Sequence, residues 1–323
     1  MNSYINPQHF KMRQNNKTID NTGFSNLSIA ESNRLSNKDG SFNVRRVGIP
    51  FFQRFSILHT LLKMKRRRFI LLIVLYYLLV NSIFALIYFL IGVGDLQGIH
   101  LGKGWQNELL QAFFFSAQTI TTVGYGHIHP TSTLTNIVAA LESFTGILTF
   151  AVITGLIYAR FSRPQAYLKF SENALISPYK NGKGLMFRLS TYKNNQLTDL
   201  SAKVILSMHV DERNGKVTRF FNLPLEIDQL SSMAMSWTIV HDINEDSPLF
   251  GLNSKQLIEN KVEIMAKING FDDFLFHNVQ QRSSYIASEI IVDAKFETML
   301  GKTEDGSMSL VDLAKLNSYE IVK

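Results

Sequence analysis

Two stretches of this chain are too long and too apolar for an ordinary water-soluble fold. Phe69 to Ile91 contains no charged residue. At about 1.5 Å per helical residue it can cross a hydrocarbon core of about 30 Å. Leu134 to Phe161 repeats the pattern around one carboxylate, Glu142, and closes on Arg160. The first span begins too far into the chain to read as a cleaved signal peptide. Two membrane-spanning helices are therefore expected.

Flanking charges orient them. Lys63, Lys65, Arg66, Arg67 and Arg68 precede the first span, Arg160 and Arg163 close the second, and only Lys103 lies between. Basic residues collect on the cytoplasmic side. This predicts a multi-pass protein of the cell (inner) membrane with both termini cytoplasmic and the Gly92–Thr133 connection outside or within the membrane. With no cysteine, no disulfide braces that connection. The net charge of +7 is uneven: residues 1–163 hold 16 Lys and Arg against 6 Asp and Glu, whereas 164–323 hold 17 against 20. The basic excess sits around the spans, which argues against nucleic acid as a partner.

Between the spans, Trp105 to Thr119 is apolar but too short to cross. It reads as a re-entrant helix whose carbonyl end, carrying partial negative charge, delivers the chain to Thr121-Thr122-Val123-Gly124-Tyr125-Gly126. A cation filter needs successive backbone carbonyls aimed into one file to replace an ion's hydration shell. Gly124 and Gly126 suit backbone conformations that a side chain penalises. Val123 and Tyr125 then point away from the file, and the Thr122 hydroxyl adds an oxygen at its inner mouth. Potassium ions bound by Thr122, Val123, Gly124 and Tyr125 are the expected ligands, with no organic cofactor. Irregular backbone at membrane depth is tolerated where it lines water, and one chain cannot enclose such a path, so a symmetric homo-oligomer is expected.

The rest of the chain divides by composition. Residues 1–47 are Asn- and Ser-rich, without apolar periodicity, and read as disordered. Over 48–66, Phe51, Phe55, Leu58 and Leu62 recur at helical spacing, predicting an amphipathic helix on the membrane surface. Residues 67–163 form the membrane domain. From 164 to 323, Leu185–Leu189, Lys203–Val210, Met233–Val240, Val262–Ile268 and Tyr285–Val292 read as short strands separated by turn signals, Asn214-Gly215 among them, predicting an all-β sandwich. No Walker phosphate loop, GxGxxG, HExxH or GxSxG is present, and His209, His241 and His277 lack ligand spacing. Nothing supports an enzyme.

With these residues in view, the chain resembles the prokaryotic branch of the inward-rectifier potassium channel family over about Gly48 to Met299. The filter carries the resemblance together with Thr154–Pro164, His241–Gly251 and Arg282–Ile290. The resemblance implies a homotetramer with an immunoglobulin-like cytoplasmic sandwich that extends the pore into the cell. It places Tyr158 at the inner constriction, Gly155 at a hinge before it, and Gly270, Phe271, Asp272 and Asp273 in a cytoplasmic girdle loop. It implies anionic-lipid contacts at Arg54, Lys63, Lys65, Arg66, Arg67, Arg68, Arg160 and Arg163, although topology alone demands most of these charges. Aligning Gly146 and Gly155 with the family's paired glycines puts Phe150 at the cavity position that governs block by Mg2+ or polyamines; Glu142 is a second cavity candidate, a support behind the filter, or a bond to a neighbouring helix. Two departures stand out: Gln118 replaces the usual Glu behind the filter, and His127 replaces the Asp after it. No Arg-rich span or nucleotide-binding fingerprint suggests voltage or nucleotide gating. The rival from another class is a membrane-anchored binding module that has lost conduction.

Overall fold

The structure, a computed structural model, describes residues 34–322 except 46, 49, 51–55, 100–103, 163, 194 and 213–214. It divides into two units, residues 46–163 and a discontinuous unit of residues 1–45 with 164–323.

In the membrane unit, α1 (Ile57–Lys63) is capped by Ser56, whose hydroxyl accepts from the His59 amide. Met64 and Lys65 break the helix before α2 (Arg66–Ile91) begins. The expected surface helix is thus shorter than 48–66; Phe51, Phe55 and Arg54 lie outside the described residues. The re-entrant helix α3 is Trp105–Ile120. The second span, α4 (Thr133–Phe161), starts at Ser132, which accepts from the Thr135 amide. Both spans are long and apolar enough to cross a membrane, and most of their surface is uncovered within the chain. What they do bury is a compact centre of Ala85, Tyr88, Leu96, Ala112, Phe115 and Ile128. Two short strands, β1 (Leu96–Gln97) and β2 (His129–Pro130), pair antiparallel. They tie together the two limbs of the connection that carries α3.

The second unit is a β-sandwich. One sheet runs β12 (Ile290–Val292), β4 (Ala174–Tyr179), β5 (Gly182–Thr191), β3 (Leu168–Phe170), with β9 (Ser236–Ile243) also on β5. The other runs β11 (His277–Ile286), β10 (Glu263–Asp272), β6 (Leu197–Glu212), β7 (Gly215–Leu223), with β8 (Gln229–Ser232) on β6. Alternating residues such as Leu200, Ala202, Val204 and Leu206 from β6 and Ile264, Ala266 and Ile268 from β10 face Phe187, Leu189 and Ile239 in the core. Period-two burial of this kind is what a sandwich requires. A short helix, α5 (Ser254–Glu259), and two strand pairs, β13 (Ala294–Phe296) with β16 (Tyr319–Ile321) and β14 (Leu300–Lys302) with β15 (Ser309–Val311), complete the unit.

Three expectations are corrected. Residues 34–45 belong to the sandwich unit rather than to a disordered tail. Leu35 and Ser36 donate their amides to the Glu263 carboxylate at 2.7 and 2.9 Å. Arg34 pairs with Glu289 at 2.5 Å. Tyr285–Val292 is not one strand: β11 ends at Ile286, a 3-10 turn spans Ala287–Glu289, and β12 pairs elsewhere. Gly270, Phe271 and Asp272 lie in β10 itself, so the loop proper begins at Asp273 and its tip is Asp273–Phe276. Asp272 is buried and holds the turn by accepting from the Phe274 and Leu275 amides. Phe274 and Phe276 stand exposed at the tip.

Candidate functional site

The Thr121–Gly126 segment leaves α3 without losing its backbone partners. The Gln118 carbonyl accepts from the Val123 and Gly124 amides at 3.0 and 3.2 Å, and the Thr119 carbonyl accepts from Thr122. The Thr121 hydroxyl donates to the Ala117 carbonyl at 2.7 Å. These are last-turn carbonyls of α3 that would otherwise lack donors. The filter residues are thus fixed to the helix that delivers them.

Handedness then alternates. Thr122, Gly124 and Gly126 have φ of +58°, +49° and +83°, while Val123 and Tyr125 do not have positive φ. Positive φ at every second residue lets successive peptide planes turn, as a file of carbonyls requires. Glycine adopts these values freely, whereas Thr122 holds a conformation that costs a non-glycine residue energy. Val123 and Tyr125 are exposed within the single chain.

Behind α3 lies a wholly buried polar cluster of Asn81, Tyr88, Ser116 and Glu142. The Tyr88 hydroxyl donates to Glu142 Oε2 at 2.6 Å and the Ser116 hydroxyl to Oε1 at 2.5 Å. Ser116 Oγ also lies 3.1 Å from Asn81 Oδ1, and Asn81 donates to the Tyr77 carbonyl at 2.7 Å. The Tyr88 ring meets Phe115 edge-on at 5.1 Å. One carboxylate on α4 therefore joins α2 and α3 through two hydroxyls. Placing Glu142 in the cavity is corrected: it has no exposed surface, and both its oxygens are held by those donors. Gln118 makes no side-chain hydrogen bond among the described residues, so its contribution here is its carbonyl.

A cavity of about 610 Å³ opens beside the filter and is lined by Tyr77, Ile120, Thr122, Gly146, Ile147 and Phe150, among others. Phe150 is three-quarters exposed. Gly146 sits where α4 crosses the end of α3, and a Cβ there would lie 2.0 Å from the Ile120 carbonyl oxygen. Gly155 has nothing within 4 Å of such an atom and lies inside unbroken helix. Tyr158 is exposed near the end of α4.

The basic residues separate into two kinds. Lys63, Lys65, Arg66, Arg67 and Arg68 are exposed; Arg163 lies outside the described residues. Arg160 is different. It donates to the Leu61 and Met64 carbonyls at 2.7 Å each and covers the Phe69 ring at 4.5 Å. It therefore satisfies carbonyls at the end of α1 and ties that helix to α4.

In the sandwich unit, sequence reasoning missed Arg188. It is buried and donates to the Leu316, Glu297 and Ser318 carbonyls at 2.7, 2.6 and 3.2 Å and to the Lys315 carbonyl, and covers the Phe296 ring at 4.4 Å. His241 is likewise buried, with Nδ1 2.7 Å from the Pro224 carbonyl and Nε2 2.8 Å from Ser247 Oγ. A carbonyl can only accept, so Nδ1 carries the proton and Nε2 accepts from Ser247. Burial pushes the His241 imidazole below its ordinary value.

Two family models match the chain: an ion channel model over residues 72–163 and the inward rectifier potassium channel C-terminal domain over residues 168–323. The chain is 33% identical over 292 residues to the inward rectifier potassium channel Kirbac3.1 of Paramagnetospirillum magnetotacticum, covering 89% of this chain and 96% of that one. It is 30% identical to the G protein-activated inward rectifier potassium channel 2 of Pongo abelii, covering 84% of this chain and 69% of that one. The ATP-sensitive inward rectifier potassium channel 12 of Gallus gallus is 28% identical, over 90% of this chain and 72% of its own.

Proposed function

The chain belongs to the inward-rectifier potassium channel family, and from that premise we propose that four copies join their Thr122–Gly126 segments around one axis to form the potassium filter. The observation that carries this reading is positive φ at every second residue, Thr122, Gly124 and Gly126, on a segment bonded back to α3. Carbonyls so aligned replace the hydration shell of a dehydrating K+. Val123 and Tyr125, uncovered in one chain, then find cover in the assembly. The carbonyl end of α3 faces the approaching cation.

Both termini lie on the cytoplasmic side, as the flanking charges demand. The inner end of α4 is the gate: four Tyr158 side chains narrow the path below the width of a hydrated ion, and Gly155 supplies the bend. Lys63, Lys65, Arg66, Arg67 and Arg68 meet anionic head groups. The Arg160 bonds to Leu61 and Met64 pass movement of α1 to α4. The Asp273–Phe276 tip, with its two exposed phenylalanines, forms the girdle. Phe150 brings no charge to the cavity, so Mg2+ and polyamines block only weakly.

Barium-sensitive rubidium uptake into liposomes tests the central reading. Native protein takes up rubidium, and Gly124→Ala loses uptake while remaining folded, because a Cβ at φ +49° strains the filter. Absence of uptake by the native protein would favour a membrane-anchored binding module.

A further inference from the structure

The outer face of the β11-β10-β6-β7 sheet carries an arrangement that folding alone does not favour. Strand alternation turns Ala202, Val204, Ala266 and Ile268 into the core and leaves Lys203, Lys267 and Arg282 on the opposite face. The register sets them side by side: Lys267 is paired with Lys203 across β10 and β6, and with Arg282 across β10 and β11. Directly opposed like charges destabilise a sheet. Among the described residues none of the three has an acid partner within ion-pair distance.

The same three residues line one cavity of about 490 Å³. Ser36 and Phe42 of segment 34–45 line it too, as does Asp228, the only acid among the described lining residues. Arg282 is held in place rather than loose: its guanidinium lies 5.0 Å from the centre of the Phe42 ring. In the amide orientation that satisfies both groups, the Gln280 oxygen accepts from Arg282 Nε and Nη2 at 2.7 and 2.9 Å. The cavity therefore combines three aligned cations with one carboxylate, a positioned guanidinium and space typical of a small-molecule site.

We propose that this cavity binds a soluble anion carrying two or more linked phosphate groups. Adjacent strands stand about 4.8 Å apart, so the three cations span about 10 Å in a line. A single carboxylate or chloride reaches at most one or two of them, whereas a chain of phosphates can meet all three. Arg282 supplies the planar, forked donor that suits phosphate oxygens, and the two lysines supply point charges. Segment 34–45 lines the cavity, and the same chain continues into α1, so the bound anion braces that segment on the sheet. The site stands independently of conduction.

Titration calorimetry of the full-length protein in detergent with sodium tripolyphosphate at low ionic strength tests it. The expected result is saturable binding of one tripolyphosphate per chain, weakened at least 10-fold in Lys203→Gln/Lys267→Gln and unchanged in Lys216→Gln, an exposed lysine on β7. Because the double variant relieves opposed like charges, its Tm without ligand rises, and this separates a lost site from a lost fold. Three results overturn the proposal: no saturable binding to the native protein, equal weakening by Lys216→Gln, or dissociation of the assembly on native gels in the double variant. The last would mean that the row meets carboxylates of a neighbouring copy.

Discussion

Gly146 and Gly155 occupy the same helix, yet their environments demand opposite outcomes from the same substitution. In Gly146→Ala the new Cβ would stand 2.0 Å from the Ile120 carbonyl oxygen and 2.8 Å from its carbon. Widening 2.0 Å to the 3.4 Å of ordinary contact requires a displacement of 1.4 Å. No side chain can rotate aside, because the obstacle is backbone. Alanine gains about 1 kcal/mol over glycine in helix propensity. Forcing a methyl into occupied space costs about 1–3 kcal/mol, and the rigid carbonyl puts this case at the upper end. A net loss of about 1–2 kcal/mol per chain follows. The displaced element matters more than the sum, since Ile120 is the last residue of α3 and Thr122 follows two positions later. Gly155→Ala meets nothing within 4 Å and retains the gain of about 1 kcal/mol. The assay is thermal dissociation on native gels with K+/Na+ flux ratios from liposomes. Gly146→Ala lowers both, whereas Gly155→Ala keeps the ratio, melts higher and, on the proposal that Gly155 supplies the bend, conducts less. Native selectivity and melting in Gly146→Ala would refute the close-approach argument, and equal damage from Gly155→Ala would show that the contact is not its cause.

Glu142→Ala strands the buried Tyr88 and Ser116 hydroxyls at about 1–3 kcal/mol each, so the assembly melts lower and K+ selectivity falls, while Glu142→Gln retains an acceptor and most of both; unchanged melting in the alanine variant would make the cluster dispensable. Tyr158→Ala raises basal rubidium flux if four such rings close the inner end, and unaltered flux would instead point to an aromatic anchor at the membrane interface. Phe150→Asp confers steep voltage-dependent block by internal spermine, read in patch recordings; steep block in the native channel would contradict the charge argument. The sandwich loses stability in mild acid. Burial depresses the His241 and His209 imidazoles, so their contribution is complete above the unfolded value of about 6.5 and lost as pH falls through the folded values. Melting curves between pH 7.5 and 5 check this, and a slope unaffected by His241→Gln would assign it elsewhere.

Legibility in the sequence followed the range of the forces involved. The spans and the re-entrant helix were readable to within a few residues at the start of the first and one or two elsewhere, because apolar length against a bilayer is a local property. Strands β5, β6, β9 and β10 were readable as apolar runs, but β3, β4, β7, β8, most of β11 and the short strands β13–β16 were missed. β3 and β8 are short, and β7 carries Lys216, Arg219 and Asn222 among its apolar residues. Even in β5 the pattern is blurred, since Arg188 anchors residues 297–318 over a face that would otherwise be wet.

The polar contacts obey a different logic. Segment 34–45 looks disordered by composition, having little apolar periodicity to declare. It is held instead by main-chain amides reaching a carboxylate 228 positions away. Glu142 and Glu263 are the same device in two settings: a buried carboxylate on one element, accepting two donors from segments remote in sequence. Sequence can flag such a carboxylate by its apolar surroundings, as it does Glu142, but the donors become visible only when register and crossing angle are known. The Lys203–Lys267–Arg282 row is the converse case, three ordinary surface charges in the sequence that become an electrostatic conflict once strand register aligns them. That conflict is the physical reason to expect a counter-charge there.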